Sequence, residues 1–309
     1  MAYNARILAD SANADPSGPH DRLTTMELTL PRFVHAEQLR HRMMSFSVGS
    51  SRAVPTAKLL AQIMDDPVMP AFWGKLQSGM SASEEMRGCA RRRAERAWLL
   101  ARDEAVRTAE QMLGLGVHKQ IVNRILEPWM WVTTIVSATE WENFFALRSP
   151  SKGSASYLPD RMLDPLFPAQ PEIQVIARMA EDAYRAAEPS VLPSGGWHLP
   201  LFGETEVDGD EIAGDADVVG TIMLPGAETA LPKAVAVSAG RTARVSYLTH
   251  DGQRDVGKDL ELASRLAASH HWSPLEHPAR AVAVGARCAN FRGFQQARFV
   301  FPGEAVATR

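Results

Sequence analysis

The alternation of apolar and polar residues predicts a strand followed by a helix near the start of the chain. Residues 24–30, TTMELTL, alternate polar and apolar side chains, which is typical of a β-strand. The next segment, PRFVHAEQLRHRMM, repeats its apolar residues at helical spacing, and Pro31 suits the first turn of a helix. The consecutive residues Arg40, His41 and Arg42 are therefore predicted to lie near the end of that helix.

Four further helices are predicted before residue 188. A long helix follows Ser81 and Glu84, which have capping-box spacing, and ends at Gly114 and Gly116. The other three are expected over 118–128, 138–148 and 169–187.

The composition changes after residue 187. Residues 188–232 are rich in Gly, Pro and acidic side chains with little periodicity, which predicts a linker or excursion. Residues 1–187 and 233–309 are the ordered parts on either side of it. In the second part, AVAVSAGRTARVSYL predicts a strand or the start of a helix, KDLELASRLAAS a helix, and ARAVAVGARCA a strand.

Composition excludes several classes of protein. With 309 residues, 45% of them hydrophobic, the chain can bury a large core without disulfides or metals. A net charge of -3 gives no global attraction to nucleic acid or to an anionic membrane. Cys89 and Cys288 lie outside any zinc or disulfide spacing, and no apolar run approaches a membrane span. We therefore expect a cytoplasmic protein without a metal site.

The basic segment and the turn after it form a candidate anion site. Consecutive helical residues point about 100° apart, so Arg40, His41 and Arg42 would surround a groove. If the helix ends near Met44, residues 45–51 become a loop of small residues, and Ser50, Ser51 and Arg52 supply hydroxyls and a guanidinium suited to phosphate. A solvated basic helix end, favoured by the helix dipole, explains the same residues equally well.

Several motifs together resemble one enzyme family. RHRMMSFSVGS is similar to the RHR, seven residues, Ser motif of the flavin-dependent thymidylate synthases (ThyX), and Arg52 falls at a further arginine of that family. ARVSYL at 243–248 and HHWSPLEH at 270–277 resemble its other landmarks. VNRILEP, ENFFALR and AQPEI resemble its later helices, in the family's order. The resemblance covers most of the chain outside 188–232.

Two features depart from the common family form. The SPLEH segment follows RHR here instead of preceding it, an arrangement similar to a circular permutation and to the longer members found in actinobacteria and their phages. In addition, Ser47 and Val48 stand where the common form has Asn and Glu, which predicts a differently shaped nucleotide pocket.

The resemblance implies a fold and a reaction. The fold would be α+β and ThyX-like, a twisted, mainly antiparallel sheet flanked by helices, with a permuted chain order and both ordered parts packed as one domain. The reaction would be FAD-dependent C5-methylation of a uridine monophosphate, with methylenetetrahydrofolate and NADPH as cosubstrates, in a homotetramer with shared active sites. Ser47 and Val48 favour UMP, as in the ThyX-like UMP C5-methylases of polyoxin-type nucleoside antibiotic biosynthesis. Ordinary conversion of dUMP to dTMP is the alternative.

The resemblance also implies which residues form the site. The residues expected to bind FAD are Arg40, His41, Arg42, Asn143, His271, Ser273 and Glu276. The residues expected to bind the nucleotide are Glu37 or Gln38, Ser50, Ser51, Arg52, Arg124 and Arg148. Ser50 and Arg148 are the catalytic candidates, because a fixed cation at Arg148 can stabilise negative charge that develops on the base.

Two other functions stay open at this point. The arginine-rich run from Arg87 to Arg96 could bind RNA or another polyanion. Aromatic residues are not interleaved there, however, and Glu84, Glu85 and Glu95 are spaced to pair with the arginines, so no nucleic-acid partner is expected. A fold that has lost catalysis is the third possibility. Neither cysteine has the Pro and His neighbours of a nucleophilic thiol, which argues against covalent thiolate catalysis.

Overall fold

The computed structural model describes residues 3–14, 20–202, 219–247 and 255–302. Its main sheet has five strands in the order β3-β4-β2-β1-β5. These strands are β1 Asn4–Asn13, β2 Arg22–Pro31, β3 Ser45–Val48, β4 Trp131–Ala138 and β5 Ser190–Leu192. Every neighbouring pair is antiparallel except β1 and β5. The expected α+β class with a mainly antiparallel sheet is confirmed.

Eight α-helices accompany the sheets in the described ranges. They are α1 His35–Leu39, α2 Thr56–Asp65, α3 Gly88–Gly114, α4 Lys119–Val122, α5 Glu142–Arg148, α6 Pro171–Ala186, α7 Lys233–Ala243 and α8 Val256–Ala268. Short 3-10 helices cover Arg32–Val34, Asn123–Trp129, Arg244–Tyr247, Ser273–Glu276 and Ala297–Val300. None of these helices is long and apolar enough to cross a membrane.

The two faces of the main sheet differ in polarity. The apolar face of β2, with Met26, Leu28 and Leu30, packs against α5 and α6 in the largest core cluster. Side chains alternate across a strand, so Thr25 and Thr29 lie on the opposite face, where they are also buried. This second face carries hydroxyl groups that must find hydrogen-bond partners within the protein.

Three local predictions need correction. The segment after Pro31 does not form one long helix, because α1 ends at Leu39 and Arg40 is its C-cap. Residues 45–51 are not all loop, since the alternating stretch SFSV pairs with β4 as strand β3. The Ser81 and Glu84 pair does not cap α3, whose N-cap is Arg87. In contrast, α3 ends at Gly114 and α6 and α8 form as predicted.

The smaller sheets are formed by strands that follow residue 196. Their strands are β6 Trp197–His198, β7 Thr221–Ile222, β8 Leu231–Pro232, β9 Ala279–Ala281, β10 Arg287–Cys288, β11 Phe291–Arg292 and β12 Phe294–Gln296. β5 pairs with β1 and β6 pairs with β9, so the described ends of the predicted linker zone are parts of sheets. Residues 203–218 of that zone lie outside the described residues, and the proposed division of the chain stays a prediction.

Candidate active site

One cleft brings together six of the predicted site residues. It has a volume of about 770 Å³, within the range of sites for small molecules and cofactors. The predicted residues that line it are Glu37, Arg40, His41, Arg42, Asn143 and Arg148. Two short helices position them, because α1 ends beside the basic segment and α5 carries Asn143 and Arg148.

Arg148 is half-buried on one wall of this cleft. Its guanidinium carbon lies 5.0 Å from the centre of the Phe144 ring, a cation–π arrangement. Its Nη2 donates to the backbone carbonyl oxygen of Glu37 at 3.4 Å. Burial, and then the nearby positive charge of Arg40, lowers the pKa of Arg148. Keeping the charged form of Arg148 at this position is therefore electrostatically unfavourable for the protein alone.

Three polar atoms at the cleft are buried without a hydrogen-bond partner among the described residues. They are Nε2 of His41, Nη1 of Arg148 and Oε2 of Glu37. Burial, followed by the charge of Arg148, lowers the pKa of His41, which favours a neutral imidazole. Burial, followed by the charge of Glu172, raises the pKa of Glu37. A polar ligand in the cleft would form hydrogen bonds with unsatisfied donors and acceptors of this kind.

The structure places Glu37 and Gln38, the two alternatives for one nucleotide-binding position, in different surroundings. Glu37 lines the cleft. Gln38 is 1% exposed, and its Nε2 donates to Oγ1 of Thr134 on the sheet at 3.1 Å. The Gln38 side chain therefore belongs to the packing of α1 on the sheet, and of the two only Glu37 is placed to reach a ligand in the cleft.

The opposite wall of the cleft was not predicted from the sequence. A hairpin forms where Gly74 pairs with Glu85, with backbone hydrogen bonds between residues 73–75 and 84–86. The residues of this segment that line the cleft are Phe72, Gly74, Met80, Ser81 and Ala82. The only sequence signal was the Gly- and Ser-rich composition of residues 74–83, which indicates a turn but not its position beside the basic segment.

The predicted phosphate-binding residues form a separate cluster. Oγ of Ser51 donates to Oε1 of Glu127 at 2.8 Å, and Nη1 of Arg124 donates to the same oxygen at 2.7 Å. Arg52 is exposed, and the backbone N–H of Ser50 donates to the carbonyl oxygen of Ser246 at 3.3 Å. Ser50, Ser51, Arg52 and Arg124 are not among the residues that line the cleft within the same chain.

The SPLEH segment meets the basic segment in space. Glu276 and Arg42 line a second pocket of about 390 Å³, together with Asn290, Gln296 and Arg298. Glu276 forms an ion pair with Arg298 there. No sequence motif indicated these last three residues, which lie on the segment after SPLEH.

His271 and Ser273 lie at the surface of this chain. Both are exposed, and Nδ1 of His271 lies 3.0 Å from Oγ of Ser269. Neither residue is among those that line the two pockets just described. Their assignment to FAD stays a prediction.

The two residues that depart from the family form do not face the cleft. Oγ of Ser47 lies 3.0 Å from Nε2 of His277, which directly follows Glu276. Val48 packs against the main core cluster, and its carbonyl oxygen accepts a hydrogen bond from Oγ of Ser246 at 3.4 Å. Both residues therefore join segments that are far apart in the sequence, Ser47 through its side chain and Val48 through its backbone.

The arginine-rich run is partly neutralised as expected. Arg91 pairs with Glu85 and with Glu95, the latter at 2.7 Å. Glu84 forms its ion pair with Lys75 on the hairpin, at 2.7 Å, and Arg87 acts on it only as a nearby positive charge.

The two cysteines lie apart from any cluster of potential metal ligands among the described residues. Cys89 and Cys288 are both free thiols, and burial raises the pKa of Cys288, which disfavours its thiolate. Within the described ranges, no group of three or more His, Cys, Asp or Glu residues is arranged to hold a metal ion.

The solved structures similar to this chain include two of a UMP/dUMP methylase, PolB, from Streptomyces cacaoi. The crystal structure bound with 5-Br dUMP is 19% identical, with a TM-score of 0.37, over 53% of this chain and 66% of that chain. This chain thus spans just under two thirds of that protein. The crystal structure bound with 5-Br UMP is 16% identical, with a TM-score of 0.43, over 59% of this chain and 89% of that chain. No curated protein matches the sequence.

A family model matches more than half of the chain. The family is described as Thymidylate synthase complementing protein (Thy1), and the match covers residues 22–190 of 309. This range includes β2, the basic segment, the hairpin and α5. The SPLEH segment lies beyond the matched range, so the permuted order stays a prediction. The chain therefore belongs to the thymidylate synthase complementing protein family.

Proposed function

We propose that this protein methylates C5 of a uridine monophosphate, with methylenetetrahydrofolate as the carbon donor, NADPH as the reductant and FAD as the cofactor. Membership of the thymidylate synthase complementing protein family supports this class of reaction. The observation that carries the proposal is the convergence of Arg40, His41, Arg42, Asn143 and Arg148 on one cleft.

The residues at the cleft and at the neighbouring pocket suit a flavin dinucleotide. FAD carries an anionic pyrophosphate and a polar ring edge, and Arg40, Arg42 and Arg148 supply cations to the cleft. The buried and unpaired Nε2 of His41 supplies a hydrogen-bonding atom for the ring edge. Glu276 lines the adjoining pocket with Arg42. When bound, FAD supplies hydride transfer, while the protein binds, orients and excludes water.

Arg148 has the surroundings expected of a group that stabilises charge on the substrate. It is half-buried, and its Nη1 has no partner within the described part of the chain. Removal of the C5 proton from a uracil leaves negative charge on the base, and a cation fixed in advance lowers the energy of that charge without reorganising.

The separation between the cleft and the Ser50–Arg52 turn supports a shared site. Ser50, Ser51, Arg52 and Arg124 are expected to bind the nucleotide, yet none of them lines the cleft of the same chain. In a homotetramer with shared active sites, which the resemblance implies, another subunit would supply this cluster. The free thiols of Cys89 and Cys288 suit the reducing cytoplasm in which we expect the enzyme to act.

We propose UMP as the preferred substrate, giving 5-methyl-UMP, with dUMP as the alternative. The basis is the replacement of the family's Asn and Glu by Ser47 and Val48. Because Ser47 pairs with His277 and Val48 packs in the core, neither supplies the carboxylate or the amide of the common form. The sugar side of the pocket is therefore built from other groups.

Release of the C5 proton tests both parts of the proposal. Tritium release from C5-labelled UMP and from C5-labelled dUMP should be compared side by side with FAD, NADPH and methylenetetrahydrofolate present. We expect release to require all three and to be faster from UMP. Faster release from dUMP would support thymidylate synthesis instead. Absence of release from both substrates, in protein that purifies with bound nucleic acid and without flavin, would support the polyanion-binding alternative.

A further inference from the structure

A chain of buried hydrogen bonds crosses the polar face of the main sheet. Its members, in order, are Ser11, His198, Thr25, Ser137, His277 and Ser47. The five donor-to-acceptor distances, in the same order, are 2.9, 2.7, 2.5, 2.8 and 3.0 Å. Each of the six residues is at most 6% exposed. Water is therefore largely excluded from these six residues, and they depend on one another for hydrogen bonds.

The hydrogen-bond chain joins parts of the sequence that are far apart. The four hydroxyl groups lie on β1, β2, β4 and β3, while His198 lies on β6 and His277 ends the SPLEH segment. His277 bonds through Nδ1 to Ser137 and through Nε2 to Ser47. It therefore fixes the segment that carries Glu276 to the strand that leads into the Ser50–Arg52 turn.

Counting hydrogens restricts the tautomers of both histidines. Five bonds need five hydrogens, and each of the four internal groups, two hydroxyls and two neutral imidazoles, has one to give. If His198 donates to Ser11 through Nδ1, then Thr25 must donate to His198, Ser137 to Thr25 and His277 to Ser137 through Nδ1. If Ser11 donates to His198, then His198 donates through Nε2, and every internal hydrogen is used only when Thr25, Ser137 and His277 donate in the same direction. Opposite tautomers either leave the Thr25–Ser137 bond without a hydrogen or leave the hydrogen of one of these two buried hydroxyls without an acceptor in the hydrogen-bond chain, which is unfavourable.

We propose that His198 and His277 share one tautomer, both protonated at Nδ1 or both at Nε2, and that this lock positions the SPLEH segment on β3. Neutral imidazoles are required, and burial provides them. Burial lowers the pKa of His277 to about 3, and burial together with the proximity of His277 lowers the pKa of His198 to about 3. His277 is therefore a positioning residue. It holds its neighbour in the sequence, Glu276, close to strand β3 through the hydrogen bond to Ser47.

The inference also explains why a hydroxyl stands at position 47. A serine can either donate to Nε2 of His277 or accept from it, so it completes the chain in both directions. Valine or alanine at the same position would leave Nε2 of His277 buried without a partner, at a cost in stability. Ser47 is thus a working member of the hydrogen-bond chain.

Nitrogen-15 NMR of histidine-labelled protein tests the lock directly. Long-range proton–nitrogen spectra distinguish the two tautomers, and His198→Gln and His277→Gln variants assign the signals. We expect one and the same tautomer at both histidines. Thr25→Val keeps the shape of the side chain but removes a hydroxyl that lies between the two histidines. It should change the nitrogen-15 chemical shifts of the His277 ring, although Thr25 has no hydrogen bond to His277. Thr25→Ser should restore them.

A matched control separates the lock from general disturbance of the sheet. Thr29 lies on the same face of β2, and its hydroxyl pairs with that of Thr133 at 3.0 Å outside the chain. Thr29→Val should leave both histidine spectra unchanged. Opposite tautomers in the wild-type protein would overturn the proposal, and so would equal effects of Thr25→Val and Thr29→Val on His277. The wild-type comparison decides the matter even if Thr25→Val does not fold, and neither result depends on the proposed methylation.

Discussion

Arg148 and Arg178 are two arginines for which the structure predicts opposite effects on binding and stability. Arg148 faces the cleft, has an unpaired buried nitrogen and lies near the like charge of Arg40. Arg178 is 8% exposed on α6 and pairs with Glu181 at 3.0 Å and with Asp182 at 2.9 Å. Arg148→Met and Arg178→Met each remove a cation and keep most of the apolar stem. The two variants therefore make the same chemical change at two different positions.

The expected magnitudes follow from these contacts. Loss of a charge-assisted hydrogen bond between Arg148 and the uracil should cost about 1.5–3 kcal/mol, or about 10- to 150-fold in the dissociation constant for UMP. The free energy of unfolding should change by less than about 1 kcal/mol, because the lost cation–π contact is offset by relief of desolvation and of repulsion from Arg40. Arg178→Met should instead lower the free energy of unfolding by about 1–3 kcal/mol and leave UMP binding unchanged.

Two measurements decide between these outcomes. Calorimetric titration with UMP gives the dissociation constant, and urea unfolding followed by circular dichroism gives the stability of each variant. The assignment of Arg148 to the substrate would be refuted if Arg148→Met bound UMP as tightly as wild type while losing more stability than Arg178→Met. Arg148 would then be a structural residue.

Three further changes have definite expected outcomes. Arg52→Ala should weaken UMP binding by about 2–4 kcal/mol, because a phosphate partner is lost, while flavin absorbance is retained; loss of the flavin instead would assign Arg52 to the wrong ligand. The double variant Cys89→Ser, Cys288→Ser should retain turnover, and an inactive but folded protein would contradict a non-covalent mechanism. Gly240→Ala should lower the free energy of unfolding by about 1–3 kcal/mol in urea titrations, because its Cβ would overlap the backbone carbonyl oxygen of Asp259 where α7 and α8 pack; unchanged stability would show that the helices can move apart.

The elements that could be predicted from the sequence are those with a long, uninterrupted period. The alternation in β2 extends over residues 24–30, and helices α6 and α8 are 16 and 13 residues long, so tertiary contacts reinforce the local preference. Strand β3 has four residues, too few to distinguish a strand from a loop of small residues. Its state is decided by pairing with β4, which lies more than eighty residues away along the chain.

The candidate site was predicted through its motifs and not through its geometry. The resemblance to a family indicated Arg40, His41, Arg42, Asn143 and Arg148, and these residues do converge. Periodicity could not place the hairpin of residues 73–86 opposite them, because a turn signal carries no direction. The contact between Ser47 and His277 spans 230 residues, and no local pattern encodes such a pair.

The most direct test of the proposed reaction is identification of its product. Purified protein should be incubated with UMP, FAD, NADPH and methylenetetrahydrofolate labelled with carbon-13 at the methylene carbon, and with dUMP in a parallel reaction. We predict 5-methyl-UMP that carries the label in its new methyl group. Recovery of both nucleotides unchanged, from protein that binds FAD and in which NADPH reduces the flavin, would contradict C5-methylation as the function of this chain.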